Sequence, residues 1–214
     1  GGGFAGFWLL ACQNILDVTK GAVYIAMSSS ELDTLQSAFR AAGGKWSTFI
    51  IWAKNTFTMG RADYQRQYEP ILYGWKDGAQ HYWCGARDQG DVWQIKKPHK
   101  NDLHPTMKPV ELMERAVRNS SKTRDIVLDP FGGSGTTLIA CEKSDRRARL
   151  IELDPKYVDV IVKRWQDFTG KEAQRASDGG GFNVLVDASG QVDFGRVDLE
   201  PALRRRVDRA AHER

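Results

Sequence analysis

The chemistry open to this chain is concentrated in two carboxylates and a glycine-rich bend. Ile126, Val127, Leu128 and Asp129 make a short apolar run ending on an acid, and Pro130, Phe131, Gly132, Gly133, Ser134, Gly135, Thr136 and Thr137 follow at once. Three glycines in four positions let the backbone take positive φ and come close to a ligand without Cβ collisions. The apolar run reads as a buried strand and residues 136–143, free of Gly and Pro, as a helix. Strand, glycine bend and helix in that order present helix-start N–H groups to a polar small molecule. A triphosphate-binding loop needs Lys directly after its last glycine, but Thr136 follows Gly135, and the spacing is not GxGxxG either. Triphosphates and nicotinamide dinucleotides are therefore both disfavoured. Glu152 stands 23 residues after Asp129, near the roughly 20 that separate a glycine turn from a ribose-binding carboxylate in nucleoside-binding α/β folds.

These residues need a sheet to hold them. Phe4, Phe7, Trp8, Ala11 and Ile15 recur at the spacing of one apolar helix face. Residues 22–27 form a continuous apolar strand candidate, and Leu32, Leu35 and Phe39 give a second helix that Gly43 and Gly44 end. Residues 48–52 and 71–73 are the next strand candidates, with a polar loop over 54–67 between them. Pro109, Leu112, Met113, Ala116 and Val117 mark another helix, with Pro109 suited to its first turn. Residues 148–152 read as a strand, and Asp154 caps a helix that buries Val158, Ile161, Val162 and Trp165. Strands alternating with helices predict an α/β fold with a doubly wound, mostly parallel sheet.

With 214 residues, 41% of them hydrophobic, and a net charge of +4, the chain has the length for one domain with a core plus a tail. No apolar run approaches the roughly 20 residues of a membrane helix, and no leader pattern opens the chain. No membrane partner and a cytoplasmic location are expected. Cys12, Cys84 and Cys141 include no CxxC pair, so no metal site is expected. Residues 169–214 are rich in Gly, Ser and balanced charge and predict a partly disordered tail, in which Arg204, Arg205 and Arg206 read as a solvated helical end. From about 75 to 103, turn residues dominate and the one strand signal is at 92–95. There Trp75, Tyr82, Trp83 and Trp93 interleave with Arg87, Lys96, Lys97, His99 and Lys100. This stretch is expected to project from the sheet, and its composition suits a surface that meets a phosphate backbone and stacks on bases.

The segments HPTMKP (104–109), DPFGGSGTT (129–137) and RLIELDPKY (149–157), in that order, resemble the signature of the permuted beta group of DNA amino-methyltransferases. The resemblance covers roughly residues 4–168. It implies a Rossmann-like methyltransferase domain over 1–168, a target-recognition insert at about 75–103, S-adenosylmethionine as cofactor and double-stranded DNA as partner. It is compatible with a homodimer and a restriction-modification setting. The implied activity is methyl transfer to adenine N6, favoured on family frequency, with cytosine N4 as the alternative. By the resemblance, Asp129, Phe131, Gly132, Gly133, Ser134, Gly135, Thr136 and Thr137 hold the methionine part of the cofactor, and the two threonines offer hydroxyls and helix-start N–H groups to its carboxylate. Glu152 accepts both ribose hydroxyls, for which a carboxylate has the lone pairs. His104, Pro105, Thr106 and Lys108 close the other side, while Arg87, Lys96, Lys97 and Lys100 meet DNA.

One family element is missing. The catalytic tetrapeptide, Asp/Asn/Ser followed by two prolines and an aromatic, holds the exocyclic amine of a flipped base and stacks on its ring in such enzymes. The nearest echoes here are Asp129-Pro130-Phe131, which belongs to the glycine bend, and Asp154-Pro155-Lys156-Tyr157, which lacks the second proline. No catalytic residue is therefore assigned. Methylation at cytosine carbon would need a Pro-Cys pair, but Ala11, Trp83 and Ala140 precede the cysteines. In the family order the tetrapeptide falls just before Gly1. The expectation is thus the downstream part of a methyltransferase, inactive alone, or a natural partial copy that only binds DNA or cofactor.

Overall fold

The computed structural model describes residues 2–97, 107–176 and 179–182. The first six elements are α1 (Gly2–Val18), β1 (Val23–Ala26), α2 (Leu32–Ala41), β2 (Gly44–Thr58), β3 (Arg66–Lys76) and β4 (Val92–Gln94). The four strands form one sheet in the order β1-β3-β2-β4. Strand alternation sends successive side chains to opposite faces, and the sequence supplies an apolar set for each. On one face Val23, Ile25 and Leu72 join Cys12 and Leu16 of α1 and Leu35 and Phe39 of α2. On the other, Ile50, Trp52, Ile71, Tyr73, Trp93 and Ile95 pack under Leu112.

Leu112 belongs to α3 (Val110–Ser120), which leads into β5 (Ile126–Asp129), α4 (Thr136–Lys143), β6 (Arg147–Leu150) and α5 (Pro155–Thr169). β5 and β6 pair in parallel as a separate two-stranded sheet. Helices span the two sheets. α3 packs on the first sheet through Leu112 and lies against α4, and Phe7 and Trp8 of α1 meet Phe131, just past β5, at ring distances of 6.2 and 6.0 Å. Among the described residues, β1 pairs only with β3 and β5 only with β6. Parallel strands ordinarily have both faces covered, yet Ile126 and Leu128, on one side of β5 by alternation, are 57% and 39% exposed.

The α/β expectation holds, with three differences of detail. The described pairings are mixed, β1 and β2 being antiparallel to β3, and β4 parallel to β2. The reason is the stretch expected to be a polar loop over 54–67. β2 continues to Thr58 and β3 begins at Arg66, so a long hairpin replaces the crossover that a parallel pair requires. Pro109 is the extended cap residue of α3 and not part of its first turn. The region after β3 folds back: β4 joins the main sheet, Cys84 N–H donates to the Asn119 carbonyl at 2.8 Å, and Gln89 exchanges hydrogen bonds with the Asn119 amide. Gly170, with φ of 70°, ends α5. The tail expected over 169–214 falls largely outside the described residues, as does the Arg204 to Arg206 cluster. None of the helices described is long and apolar enough to cross a membrane.

Candidate cofactor site

The glycine bend is built by its own side chains and by two neighbouring elements. Asp129, last residue of β5, accepts Phe131 N–H on Oδ1 at 3.0 Å and the Thr137 hydroxyl on Oδ2 at 2.6 Å, tying the strand end to the first turn of α4. Gly132 N–H donates to the Ile151 carbonyl at 2.9 Å, which docks the bend on the end of β6. Gly133 and Gly135 take φ of 53° and 75°, the left-handed region where only glycine sits without cost. At Gly135 there is a packing reason as well, since a Cβ would stand 3.0 Å from Ile161 Cγ2 on α5.

The bend and Glu152 meet. Gly133 N–H donates to Glu152 Oε2 at 2.7 Å, and Oε1 accepts Asp154 N–H at 3.0 Å. β6 ends at Leu150, so Glu152 lies in the loop after the strand and not at its last position, free to turn back onto the bend. Each oxygen keeps a second lone pair for an outside donor. The amides of Ser134, Thr136 and Thr137 donate to no group among the described residues. They sit at the positive end of α4, where an anion is favoured.

The threonine hydroxyls are engaged internally. Thr137 serves Asp129, while Thr136 Oγ1 donates to the Lys108 carbonyl at 3.2 Å and accepts from Arg164 Nη1 at 3.1 Å. What they leave to a ligand is backbone N–H. Lys108 is held through that carbonyl beside the bend, but its ammonium pairs with Glu69, whose other oxygen takes Lys54 at 3.2 Å. Both lysines lie over the ring of Trp52, a residue of β2 buried on the sheet face that α3 covers. His104, Pro105 and Thr106 lie outside the described residues, as does Lys100. Of the expected DNA contacts, Arg87 and Lys96 are exposed and Lys97 is half-buried, its N–H bonded to Asn55.

The aromatics expected to serve as a stacking surface divide in two. Trp93 is 3% exposed in the core with Arg115 over its ring, and Trp75 stacks on His81 at 3.6 Å. Tyr82 and Trp83 remain exposed. Sequence reasoning missed Arg164, Lys54 and Glu69. The signal for Arg164 is its place three residues after the buried Ile161 on an amphipathic helix, which turns its side chain toward the bend. A cavity of about 480 Å³ is lined by Val110, Ile139, Lys143, Arg164, Asp167 and Phe168. It includes neither the bend nor Glu152. No cluster of metal-ligating side chains occurs among the described residues.

Comparison with known proteins meets this geometry. The chain is 30% identical over 173 residues to the type II methyltransferase M2.DpnII of Streptococcus pneumoniae, covering 73% of this chain and 64% of that protein. The chain spans less than two thirds of the length of the curated relatives it matches. The crystal structure of the M1.HpyAVI–SAM complex superposes with a TM-score of 0.65 at 28% identity, over 73% of this chain and 81% of that one. A putative DNA modification methylase from Thermus thermophilus, complexed with S-adenosyl-L-methionine, gives 0.60 at 25% identity, over 77% of each chain. The profile of the N6/N4 DNA methylases matches residues 4–163, the stretch that runs from α1 through the bend and Glu152 into α5, and the chain belongs to that family.

Proposed function

We propose that this chain is the cofactor-binding part of an S-adenosylmethionine-dependent DNA amino-methyltransferase acting on adenine N6, and that it transfers methyl groups only when a strand bearing the catalytic tetrapeptide completes it. The observation that supports the reading is the Gly133–Glu152 hydrogen bond, which brings the Glu152 carboxylate to a bend whose Ser134, Thr136 and Thr137 amides are unpaired among the described residues. The residues fit the cofactor's parts. Open N–H groups at Ser134, Thr136 and Thr137 suit a carboxylate, Glu152 suits a diol, and no lysine follows the glycines to favour a triphosphate. Bound there, S-adenosylmethionine supplies a sulfonium-activated methyl group for in-line attack by an amine. The chain's part is to hold that group in place. Asp129 braces the bend through Phe131 and Thr137, and Phe131 with Phe7 and Trp8 forms an apolar wall beside it.

Duplex DNA is the substrate this reading assigns, with Tyr82, Trp83, Arg87 and Lys96 on the exposed surface that approaches it. The requirement for a further strand is supported by the broken sheet. Among the described residues β1 and β5 each have an unpaired edge, while α3 packs on α4 and α1 meets Phe131. Equilibrium titration with S-adenosylmethionine, with NADH as control, tests the cofactor. Binding of NADH in preference to S-adenosylmethionine would overturn it.

A further inference from the structure

Arg164 of α5 directs Nη1 to the Ser134 carbonyl at 3.0 Å, the Ser134 hydroxyl at 3.2 Å and Thr136 Oγ1 at 3.1 Å. All three partners belong to the bend, and all are neutral. No carboxylate pairs with this guanidinium among the described residues; Asp167, the nearest acid on its helix face, is bonded to Lys163. The group is half-buried, and desolvation pulls its pKa down from the usual arginine value. An arginine stays charged in a protein whatever its surroundings, and a desolvated charge without a counter-ion is costly unless an anion is close. Two of the three residues with open amides, Ser134 and Thr136, are the ones this guanidinium holds, at the end of α4 whose partial positive charge favours an anion.

We propose that Arg164 is a positioning residue for the carboxylate of the cofactor's methionine end. It acts through Ser134 and Thr136, fixing the bend so that the open amides converge, and it adds a positive field that selects ligands bearing an amino-acid carboxylate over nucleoside thioethers that lack one. This rests on the cofactor reading above. It assigns Arg164 a share in ligand discrimination beyond holding α5 to the bend.

The test is equilibrium binding of S-adenosylhomocysteine and of 5′-methylthioadenosine, which keeps the nucleoside and sulfur but has no amino-acid group. The two are titrated into the 214-residue chain and into Arg164→Met, Arg164→Gln and Arg164→Lys. Arg164→Met and Arg164→Gln are expected to lose about tenfold for S-adenosylhomocysteine and less than about twofold for methylthioadenosine, and Arg164→Lys to keep most of the discrimination. Glutamine is a second neutral variant should the methionine variant not fold, and Arg164→Lys, which keeps the charge on a long side chain, separates loss of charge from loss of the hydrogen-bonding head group. Equal losses for both ligands would make Arg164 a structural brace only and overturn the proposal. Failure of the unaltered chain to bind either ligand would instead remove the cofactor reading, and this inference with it.

Discussion

Glu152 does two jobs that differ in their demands. Toward the protein, its oxygens accept Gly133 N–H and Asp154 N–H. In the nucleoside site proposed above, its remaining lone pairs are the ones left to accept a diol. Replacing it by alanine strands Gly133 N–H and removes the diol acceptor together. Glu152→Ala is expected to weaken S-adenosylmethionine binding by roughly 1–3 kcal/mol, the cost of losing a charged hydrogen-bond set, read by calorimetric titration. The cysteines give a second residue-level outcome. Burial pushes the Cys12 and Cys141 thiols up to about 11, so near pH 8 both stay protonated and unreactive, since the thiolate is the nucleophile. Cys84 is exposed, its Sγ directed at the Arg118 carbonyl. A disulfide reagent at pH 8 should label one thiol quickly and two only on unfolding. Rapid labelling of all three would contradict the packing of α1 and α4.

At the scale of elements, the bend depends on α5 as much as on its own sequence. Ile161 fills the space next to Gly132 and Gly135, and Arg164 one turn on holds Ser134 and Thr136. Gly135 is constrained twice, by φ of 75° and by Ile161. Gly135→Ala should lower stability by about 1–2 kcal/mol from the left-handed backbone alone, more once Ile161 is displaced, and thermal unfolding measures it. Gly43, also at positive φ but with nothing near a built Cβ, should show the backbone cost without the crowding. Equal shifts for the two alanine variants would mean that the α5 contact adds nothing. The hairpin of β2 and β3 illustrates the opposite case, where an element's extent was hidden. Residues such as Asn55, Thr56 and Gln67 look like loop by composition, but strand pairing with a long partner overrides local preference.

For the molecule as a whole, the broken sheet is the dominant fact. Among the described residues, a two-stranded parallel unit beside a four-stranded mixed one leaves one edge of β1 and one of β5 without a paired strand, and leaves Ile126 and Leu128 exposed. Unpaired strand edges are templates for another strand. On the reading proposed here, the chain alone should show no methyl transfer to duplex DNA. A chimera in which a strand bearing the tetrapeptide precedes Gly1 should gain it. Turnover by the unmodified chain, measured with radiolabelled S-adenosylmethionine, would refute the need for a further strand.

The order of motifs and the placement of helices and most strands were legible in the residues themselves. They follow from local rules: the 3.6-residue recurrence of Phe4, Trp8 and Ile15, the short apolar run at 71–73, and the glycines after Asp129. Local chemistry also announced Glu152 as the partner of the bend. Tertiary structure alone decided the rest. That Gly133 donates to Glu152, that Lys108 answers to Glu69, that the threonine hydroxyls turn inward and that Trp93 is core while Trp83 is surface all depend on contacts between residues distant in sequence, and no spacing rule encodes those. The division of the sheet belongs to the same class, because which edges meet depends on pairing between segments distant in sequence and not on any one strand's own residues.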